Sequence, residues 1–189
     1  GSNNGFMAGA NTLDGVYQPT VSSYDDDAPL DESGDPTPKY RAFKKVISKY
    51  ASVPEEDPVP SRKAAYGAVQ LKEAAGVLDS LDELSSTFRS RTPEPMETLG
   101  QGYGMILYSA HVMGPRKDAE LSIAGLADRA IAFIDGARKG ILLRSGPEKK
   151  LVIDIPDGGA RRDILGEARG RSNYGPELAD RKGITGGVL

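Results

Sequence analysis

The chain has 189 residues, with 24 Lys and Arg against 27 Asp and Glu, and its net charge of −3 lacks the basic excess expected of a nucleic-acid-binding protein. It contains no cysteine and a single histidine, which excludes disulfide bonds, a thiolate nucleophile and a histidine-rich metal site. No cofactor or metal is therefore expected, and the hydrophobic fraction of 38% is that of a globular protein with a core.

The N-terminus carries no recognisable targeting signal. The opening GSNNGFMAGAN lacks the basic and apolar regions of a signal peptide, and no stretch approaches the ~20 apolar residues of a membrane span. We expect no membrane association, and the absence of cysteine and of an export signal slightly favours the cytoplasm. The glycine and asparagine content of this opening is typical of an internal loop, so we expect the chain to begin within a domain.

Residues 1–30 predict loop structure without a regular period, and they include three adjacent carboxylates, Asp25, Asp26 and Asp27. Successive side chains of an extended segment alternate in direction, so at most two of the three share a site. Three interpretations stay open: structural hydrogen bonding within a loop, contact with a polar substrate, and metal binding. The spacing does not match a calcium-binding loop, which disfavours the last.

The next stretch, GDPTPKYRAFKKVISKY, predicts a helix over residues 38–50. Thr37 is a suitable N-cap, and Pro38 fits the first helical position. One side carries an apolar stripe and the other side is basic, so the helix should pack its stripe on a larger body. The stripe consists of Tyr40, Phe43, Val46, Ile47 and Tyr50.

Residues 53–62 hold three prolines and an acidic pair, which predicts an interdomain linker. Beyond it the apolar period approaches two, which indicates a mainly β second half. Asp135 and Gly136 lie between two apolar runs and predict a hairpin. The candidate strands are AAYGAVQL, YGMILYSA, LSIAGLA, AIAFIDGARKGILL, KKLVIDI and RRDILGEA.

Three further features have structural interpretations that outweigh catalytic ones. His111 has no serine, cysteine or aspartate at a spacing that implies a triad, so a surface or strand-end histidine is favoured. The glycines of GQGYG precede a strand rather than a helix, which favours a bend entering a sheet over phosphate binding. In GRSNYG, Arg171 and Asn173 are expected to tie a tight loop to carbonyls, with Tyr174 filling a seam; sugar contact is the alternative.

The order of these motifs resembles the β-galactosidases of glycoside hydrolase family 35. GSNNGFMAGAN is similar to the family's Gly-Thr-Asn-Phe-Gly segment that ends in Gly-Ala-Asn, with Ser2 in place of Thr and Asn4 in place of Phe. SSYDDDAP resembles Ser-Tyr-Asp-Tyr-Asp-Ala-Pro. The downstream β-domain is matched at Asp128, Arg129, Gly136, Gly140, Gly170, Arg171, Asn173, Tyr174 and Gly175.

The resemblance implies that SSYDDDAP crosses the rim of a TIM barrel, where the tyrosine between the two aspartates contacts galactose. Asp26 stands at that tyrosine position, flanked by matching Asp25 and Asp27 and preceded by Tyr24. We therefore expect Tyr24, Asp25 and Asp26 to be the substrate-binding residues. Asp26 would take the place of the tyrosine and accept a hydrogen bond from a sugar hydroxyl.

The implied fold is multidomain, α/β plus β: the C-terminal end of a TIM (β/α)8 barrel followed by a jelly-roll-like β-sandwich, both incomplete. Its divisions are residues 1–52 for the last rim loop and barrel helix, 53–62 for the linker and 63–189 for the sandwich. The implied activity is retaining hydrolysis of terminal β-D-galactose, with both catalytic glutamates upstream of Gly1 and the remainder of the barrel as the missing partner.

The isolated chain is accordingly expected to be inactive, because Glu32, Glu55 and Glu56 fall in the turn and the linker. Two alternatives remain. One is a non-catalytic carbohydrate-binding or interaction module formed by residues from about 63 onward. The other is a degenerate family member that no longer hydrolyses galactosides, for which Asp26 in place of tyrosine is the motivation.

Overall fold

The computed structural model describes residues 2–3, 10–13, 16–19, 24–174 and 177–189. The chain divides into two compact units, one of residues 1–2 and 24–91 and the other of residues 3–23 and 92–189. The first unit is helical and irregular, and the second is built from strands. Among the described residues, no helix has the length and apolar character needed to cross a bilayer.

The first unit contains helix α1, Pro38–Ile47, whose start agrees with the sequence prediction. The Thr37 hydroxyl accepts a hydrogen bond from the Tyr40 N–H at 3.4 Å, and Pro38 occupies the first turn. The helix ends three residues before the predicted Tyr50, because the last turn tightens: the main-chain N–H groups of Lys49 and Tyr50 bond to carbonyls three residues back.

The apolar stripe of α1 is uncovered in the described part of the chain. Phe43, Val46 and Ile47 are each about half exposed, and Tyr50 is 86% exposed. Burying such side chains is worth roughly 1.5–3 kcal/mol each. The predicted larger body under this stripe therefore stays a prediction.

Residues 51–104 form no strand, and the sequence prediction for AAYGAVQL is wrong. Residues 64–71 lie without regular structure, and Tyr66 and Leu71 are 87% and 89% exposed. An alternating pattern makes a strand only when a neighbouring strand pairs with it, and none does so in the described residues. The stretch otherwise holds helix α2, Leu81–Leu84, and two 3-10 turns, Leu78–Ser80 and Met96–Leu99.

The strands in chain order are β1 (Ser2–Asn3), β2 (Ala10–Leu13), β3 (Val16–Pro19), β4 (Tyr24–Asp25), β5 (Met105–Val112), β6 (Arg116–Ser122), β7 (Leu126–Ala127), β8 (Arg129–Ile134), β9 (Ala137–Leu143), β10 (Lys150–Ile155), β11 (Ala160–Glu167), β12 (Ser172–Tyr174) and β13 (Gly183–Ile184). The expectation of loop over residues 1–30 is thus wrong at β2 and β3. These strands pair with each other, and β2 also pairs in parallel with β12, a distant partner that no local pattern reveals.

The β-rich second half is confirmed. Strands β5, β11, β8 and β9 form an antiparallel sheet in that order, and β6 pairs with β10. The predicted hairpin lies between β8 and β9, with Asp135 and Gly136 both at positive φ in the turn. LSIAGLA is not one strand, because a turn at residues 124–125 separates β6 from β7.

The core of this unit lies between the four-stranded sheet and the β6–β10 pair. Alternate residues of β8 are buried, as expected for a strand with one face inward. The larger buried cluster is Leu121, Ala132, Ile134, Ile153, Ile155 and Ala160. The start of β8 and the end of β9 lie side by side at one end of the four-stranded sheet, next to Asp128 and Arg144. The jelly-roll topology, the TIM barrel and the domain limits stay predictions.

Candidate functional site

The residues predicted to contact sugar lie on β4 and the turn after it. Tyr24 and Asp25 form β4, but their side chains lie outside the described residues, and Asp26 is exposed on the turn. Asp27 has a left-handed φ of 53°, and its carboxylate and main-chain carbonyl both accept hydrogen bonds from Lys39 Nζ at 2.5 Å. The structural interpretation of the triple aspartate therefore holds for Asp27.

The acidic turn that follows is held together by its own carboxylates. Asp31 accepts hydrogen bonds from the N–H and hydroxyl of Ser33 at 2.9 and 2.7 Å and from the Asp35 N–H at 2.9 Å. The Ser33 hydroxyl first, and then the Asp35 N–H, hold the pKa of Asp31 below its usual range. Asp35 in turn accepts from Lys63 and from the Ser61 N–H. These contacts hold the acidic turn in its conformation.

The second unit contains a buried ionic cluster centred on Lys182, which precedes β13. Its side chain is fully buried, and its Nζ donates to both oxygens of Asp128 at 3.1 and 2.9 Å. The same ammonium donates to Asp180 Oδ2 at 3.2 Å and to the Tyr17 hydroxyl at 2.7 Å. One cation thereby joins Tyr17 in β3, Asp128 directly before β8, and Asp180 in the segment before β13.

Arg144, directly after β9, is the second cation of the cluster. Its Nη1 donates to Asp128 Oδ1 at 3.3 Å and to Asp180, and its guanidinium lies 4.7 Å from the centroid of the Tyr17 ring. Lys182 Nζ lies 4.3 Å from the same centroid. Burial alone would lower the pKa of Arg144, but Asp180 and Asp128 more than offset it and raise that pKa. Arg144 is therefore permanently charged.

Tyr17 is the neutral member of the cluster. Burial, and next the charge of Asp128, raise the pKa of its phenol, so it stays protonated and donates its hydroxyl proton to the Gly170 carbonyl. Asp128 is also satisfied by the Arg169 N–H at 2.9 Å. Every charge in the cluster has an opposite partner, the condition under which ionic groups persist in an interior.

A cavity of about 370 Å³ opens beside this cluster. Arg144 and Asp180 belong to both the cluster and the cavity wall. The lining includes both aliphatic and polar side chains. The lining residues are Ile123, Gly125, Leu126, Ala127, Leu142, Leu143, Arg144, Glu148, Lys149, Asp180 and Thr185.

The structural role predicted for Arg171 is confirmed. Its Nε donates to the Gly102 carbonyl at 2.9 Å, and its Nη1 pairs with Glu97. Glu97 also accepts from the Lys182 N–H at 3.0 Å. Burial would raise the pKa of Glu97, but hydrogen bonds from its own N–H, from Arg171 and from Lys182 outweigh it, so this pKa lies below its usual value.

The predictions for the GRSNYG segment, His111 and the GQGYG segment have different outcomes. The side chains of Asn173 and Tyr174 lie outside the described residues. His111 lies within β5 and is exposed, as a surface histidine should be. The GQGYG stretch bends into β5, with Gly104 at a φ of 89°. Within the described residues, no three histidine, aspartate or glutamate side chains are grouped as metal ligands would be.

Sequence reasoning missed most of the buried cluster. Asp128 entered only through the family resemblance, and Tyr17, Arg144, Asp180 and Lys182 were not singled out. The one local signal is Asp128 itself, a charge between the apolar segments of β7 and β8. Its partners cannot be inferred from spacing, because Tyr17 and Lys182 are 165 positions apart.

Comparison with known proteins gives agreement along the whole chain. The family model described as beta-galactosidase, first all-beta domain, matches residues 93–189, and the model for glycosyl hydrolases family 35 matches residues 1–50. Beta-galactosidase 1 of Dictyostelium discoideum is 38% identical over 216 residues, covering 100% of this chain and 32% of the relative. The beta-galactosidase of Xanthomonas manihotis is 38% identical over 194 residues, with the same coverage. That of Bos taurus is 39% identical and covers 97% of this chain and 28% of the relative. The chain thus spans about a third of the length of these relatives.

Proposed function

Because the chain belongs to the β-galactosidases of glycoside hydrolase family 35, we propose that it is part of a retaining enzyme that removes terminal non-reducing β-D-galactose from galactosides. The observation that carries this proposal is the ordered match of two family models at the two ends of the chain, 1–50 and 93–189. The first-all-beta-domain model alone covers just over half of it.

The chemistry of such an enzyme needs two carboxyl groups about 5–5.5 Å apart, one a nucleophile and the other a general acid and base. The resemblance assigns both glutamates to earlier barrel strands, upstream of Gly1. The glutamates of the first unit are poor substitutes. Glu55 and Glu56 lie exposed in the irregular segment, where their main-chain carbonyls accept hydrogen bonds from Lys44 at 2.9 and 3.3 Å.

The proposed contribution of this chain to substrate binding is the rim loop that contains Tyr24, Asp25 and Asp26. The anchoring of its neighbours supports this role. Asp27 is tied to Lys39, and the Thr37 hydroxyl donates to the main-chain carbonyls of Pro29 and Ala28 at 2.9 and 3.1 Å. A loop anchored on its C-terminal side loses less conformational entropy when a sugar binds than an unanchored loop does. Asp26 is exposed, and its carboxylate can accept a hydrogen bond from a sugar hydroxyl.

The uncovered stripe of α1 supports the second element of the proposal, that the remainder of a barrel packs against this helix. The stripe residues are aromatic and aliphatic, and their helical spacing gives one continuous apolar side. A partner body that buries them would supply the missing catalytic groups as well. The activity of the complete protein is therefore expected to depend on that remainder.

The test is to assay the full-length protein and this 189-residue chain with the same chromogenic β-galactoside. We expect turnover only in the full-length protein, and within it Asp26→Tyr should raise kcat/KM if the loop contacts galactose. Asp31→Asn is the matched control, since the Asp31 carboxylate bonds to Ser33 and Asp35 within the turn. Turnover by the purified 189-residue chain would contradict the proposal.

A degenerate family member is the second candidate, and the observation that favours it is Asp26 at the tyrosine position. It predicts that the full-length protein is inactive toward β-galactosides and that Asp26→Tyr restores activity. Inactivity of both would count against any galactosidase function, whereas an active full-length protein would exclude the degenerate alternative.

A further inference from the structure

We propose that the cavity beside the buried ionic cluster is a binding site for one neutral, polyhydroxylated ring of monosaccharide size. All the residues that line the cavity belong to the β-rich unit, and none belongs to the rim loop or to α1. Sugar binding in the cavity is therefore independent of the proposed galactosidase activity.

The size of the cavity fits a small organic ligand. At about 370 Å³ it lies within the roughly 300–1,000 Å³ typical of small-molecule sites, toward the lower end, where a single sugar ring rather than an oligosaccharide is accommodated. Leu126, Leu142 and Leu143 supply an aliphatic wall. These aliphatic side chains can pack against the C–H face of a pyranose, while the polar lining residues can bond to its hydroxyls.

The charges of the lining favour a neutral ligand. Two cations, Arg144 and Lys149, are balanced by two anions, Glu148 and Asp180, so neither an anion nor a cation gains net attraction. What the balanced set offers is adjacent donors and acceptors. A carboxylate that accepts beside a guanidinium that donates is complementary to neighbouring hydroxyl groups, each of which both donates and accepts.

Asp180 and Arg144 keep hydrogen-bonding capacity after their internal contacts are made. Asp180 Oδ2 receives both Lys182 and Arg144, and among the described residues no hydrogen bond to its Oδ1 is found. Arg144 Nη1 donates to Asp128 and Asp180, while its Nη2 makes no hydrogen bond within the described part of the chain, where Glu177 lies 3.8 Å away. These two lining residues therefore keep one acceptor and one donor without a partner among the described residues.

The buried cluster explains how these two groups are held in position. Lys182 and Asp128 are almost fully buried, and retaining such a pair in place of apolar side chains seldom adds stability. Here the pair fixes the orientations of Asp180 and Arg144, the arrangement expected of a supporting layer behind a binding site. Two further lining residues are tied together, because the N–H and hydroxyl of Thr185 both donate to the Gly125 carbonyl at 3.0 Å.

The experiment is a titration of the ¹⁵N-labelled 189-residue chain with D-galactose, D-glucose and sodium sulfate, monitored by amide chemical shifts. We expect saturable shifts with at least one of the two sugars at Gly125, Arg144 and Thr185, and none with sulfate. Thr185→Phe, which replaces a small residue of the cavity lining with a large ring, should weaken sugar binding by about tenfold or more.

Asp180→Ala removes both carboxylate oxygens and should also weaken sugar binding, and circular dichroism establishes that each variant is folded. Glu120→Gln is the matched control, since Glu120 forms an exposed pair with Lys150 in the same unit and does not line the cavity. Sugar shifts that survive Thr185→Phe, or that vanish in Glu120→Gln, would overturn the proposal, as would the absence of saturable shifts with both sugars. Sulfate binding at Arg144 in preference to sugar would overturn the neutral ligand class.

Discussion

The two units of the chain each contain a short lysine–aspartate pair, and the two pairs differ mainly in burial. Lys39 Nζ lies 2.5 Å from the Asp27 carboxylate, with the side chains 35% and 86% exposed. Lys182 Nζ lies 2.9 Å from the Asp128 carboxylate, with the side chains 0% and 2% exposed. The distances alone would rank the exposed pair first, yet the buried pair should matter far more when one partner is removed.

The physical reason is the solvent around each charge. Water screens an exposed pair and solvates either partner once the other is gone, so such pairs contribute about 0–1 kcal/mol. A buried carboxylate that loses its cation has no water to replace it, and breaking a buried pair costs about 3–5 kcal/mol. Removing one partner should therefore cost much more stability in the buried pair than in the exposed pair.

Lys182→Met should destabilise the β-rich unit by about 3–5 kcal/mol, because Asp128 stays buried with only Arg144 to balance it. Urea unfolding followed by circular dichroism measures the change. Lys139→Met, at an exposed lysine of β9, is the control and should be nearly neutral. Adding Asp128→Asn to Lys182→Met should recover part of the loss. A cost below about 1 kcal/mol for Lys182→Met would show that burial does not separate the two pairs.

Glu97, partly buried between Arg171 and Lys182, should give an intermediate effect that depends on pH. Its folded pKa lies below the ordinary 4.5, so its stabilising contribution is complete above about pH 4.5 and is lost as pH falls through the folded value. Glu97→Gln should therefore lower the free energy of unfolding at neutral pH. The gap in this free energy between wild type and variant should narrow on acidification.

Unfolding curves of wild type and Glu97→Gln between neutral pH and about pH 3 measure this gap. Glu120→Gln is the control, since Glu120 makes an exposed pair with Lys150 on the surface of β6 and β10. A gap that stays constant across the range, or one that widens in acid, would contradict the assignment of the stabilisation to the ionised Glu97.

Lys39→Ala should have the smallest effect on stability, about 0–1 kcal/mol, because the pair with Asp27 is screened. Its effect on binding should be larger, since Lys39 also holds the Asp27 carbonyl at 2.5 Å and thereby the proposed rim loop. In the full-length enzyme we expect KM for a β-galactoside to rise. Lys45→Ala on the same helix is the control, and an equal response of KM to both would remove the positioning role of Lys39.

Several elements were predictable from the sequence because their causes are local. The start of α1 depends on Thr37 and Pro38, which act within one turn. The β8–β9 hairpin depends on Asp135 and Gly136, whose backbone conformations suit a two-residue turn. Both predictions are confirmed by the structure.

The failures share the opposite property. Residues 64–71 alternate in polarity as a strand does, yet they form none, since pairing is decided by a neighbour. Strands β2 and β3 were expected to be loop, because the stretch around them is rich in glycine and asparagine, yet they pair with each other, and β2 also pairs with β12, near the other end of the chain. For the candidate sugar loop, the sequence indicated the residues, and the structure adds the anchoring of Asp27 by Lys39.

By itself, the sequence determined the mainly β character of the second half, the helix start, the hairpin and the family, because each rests on neighbouring residues or on motif order. Only the tertiary structure decided which charges are buried together. Tyr17, Asp128, Arg144, Asp180 and Lys182 meet because β-sheet pairing and core packing bring distant loops to one end of the unit. Burial of a charge is a property of everything packed around it, and no local pattern encodes that environment.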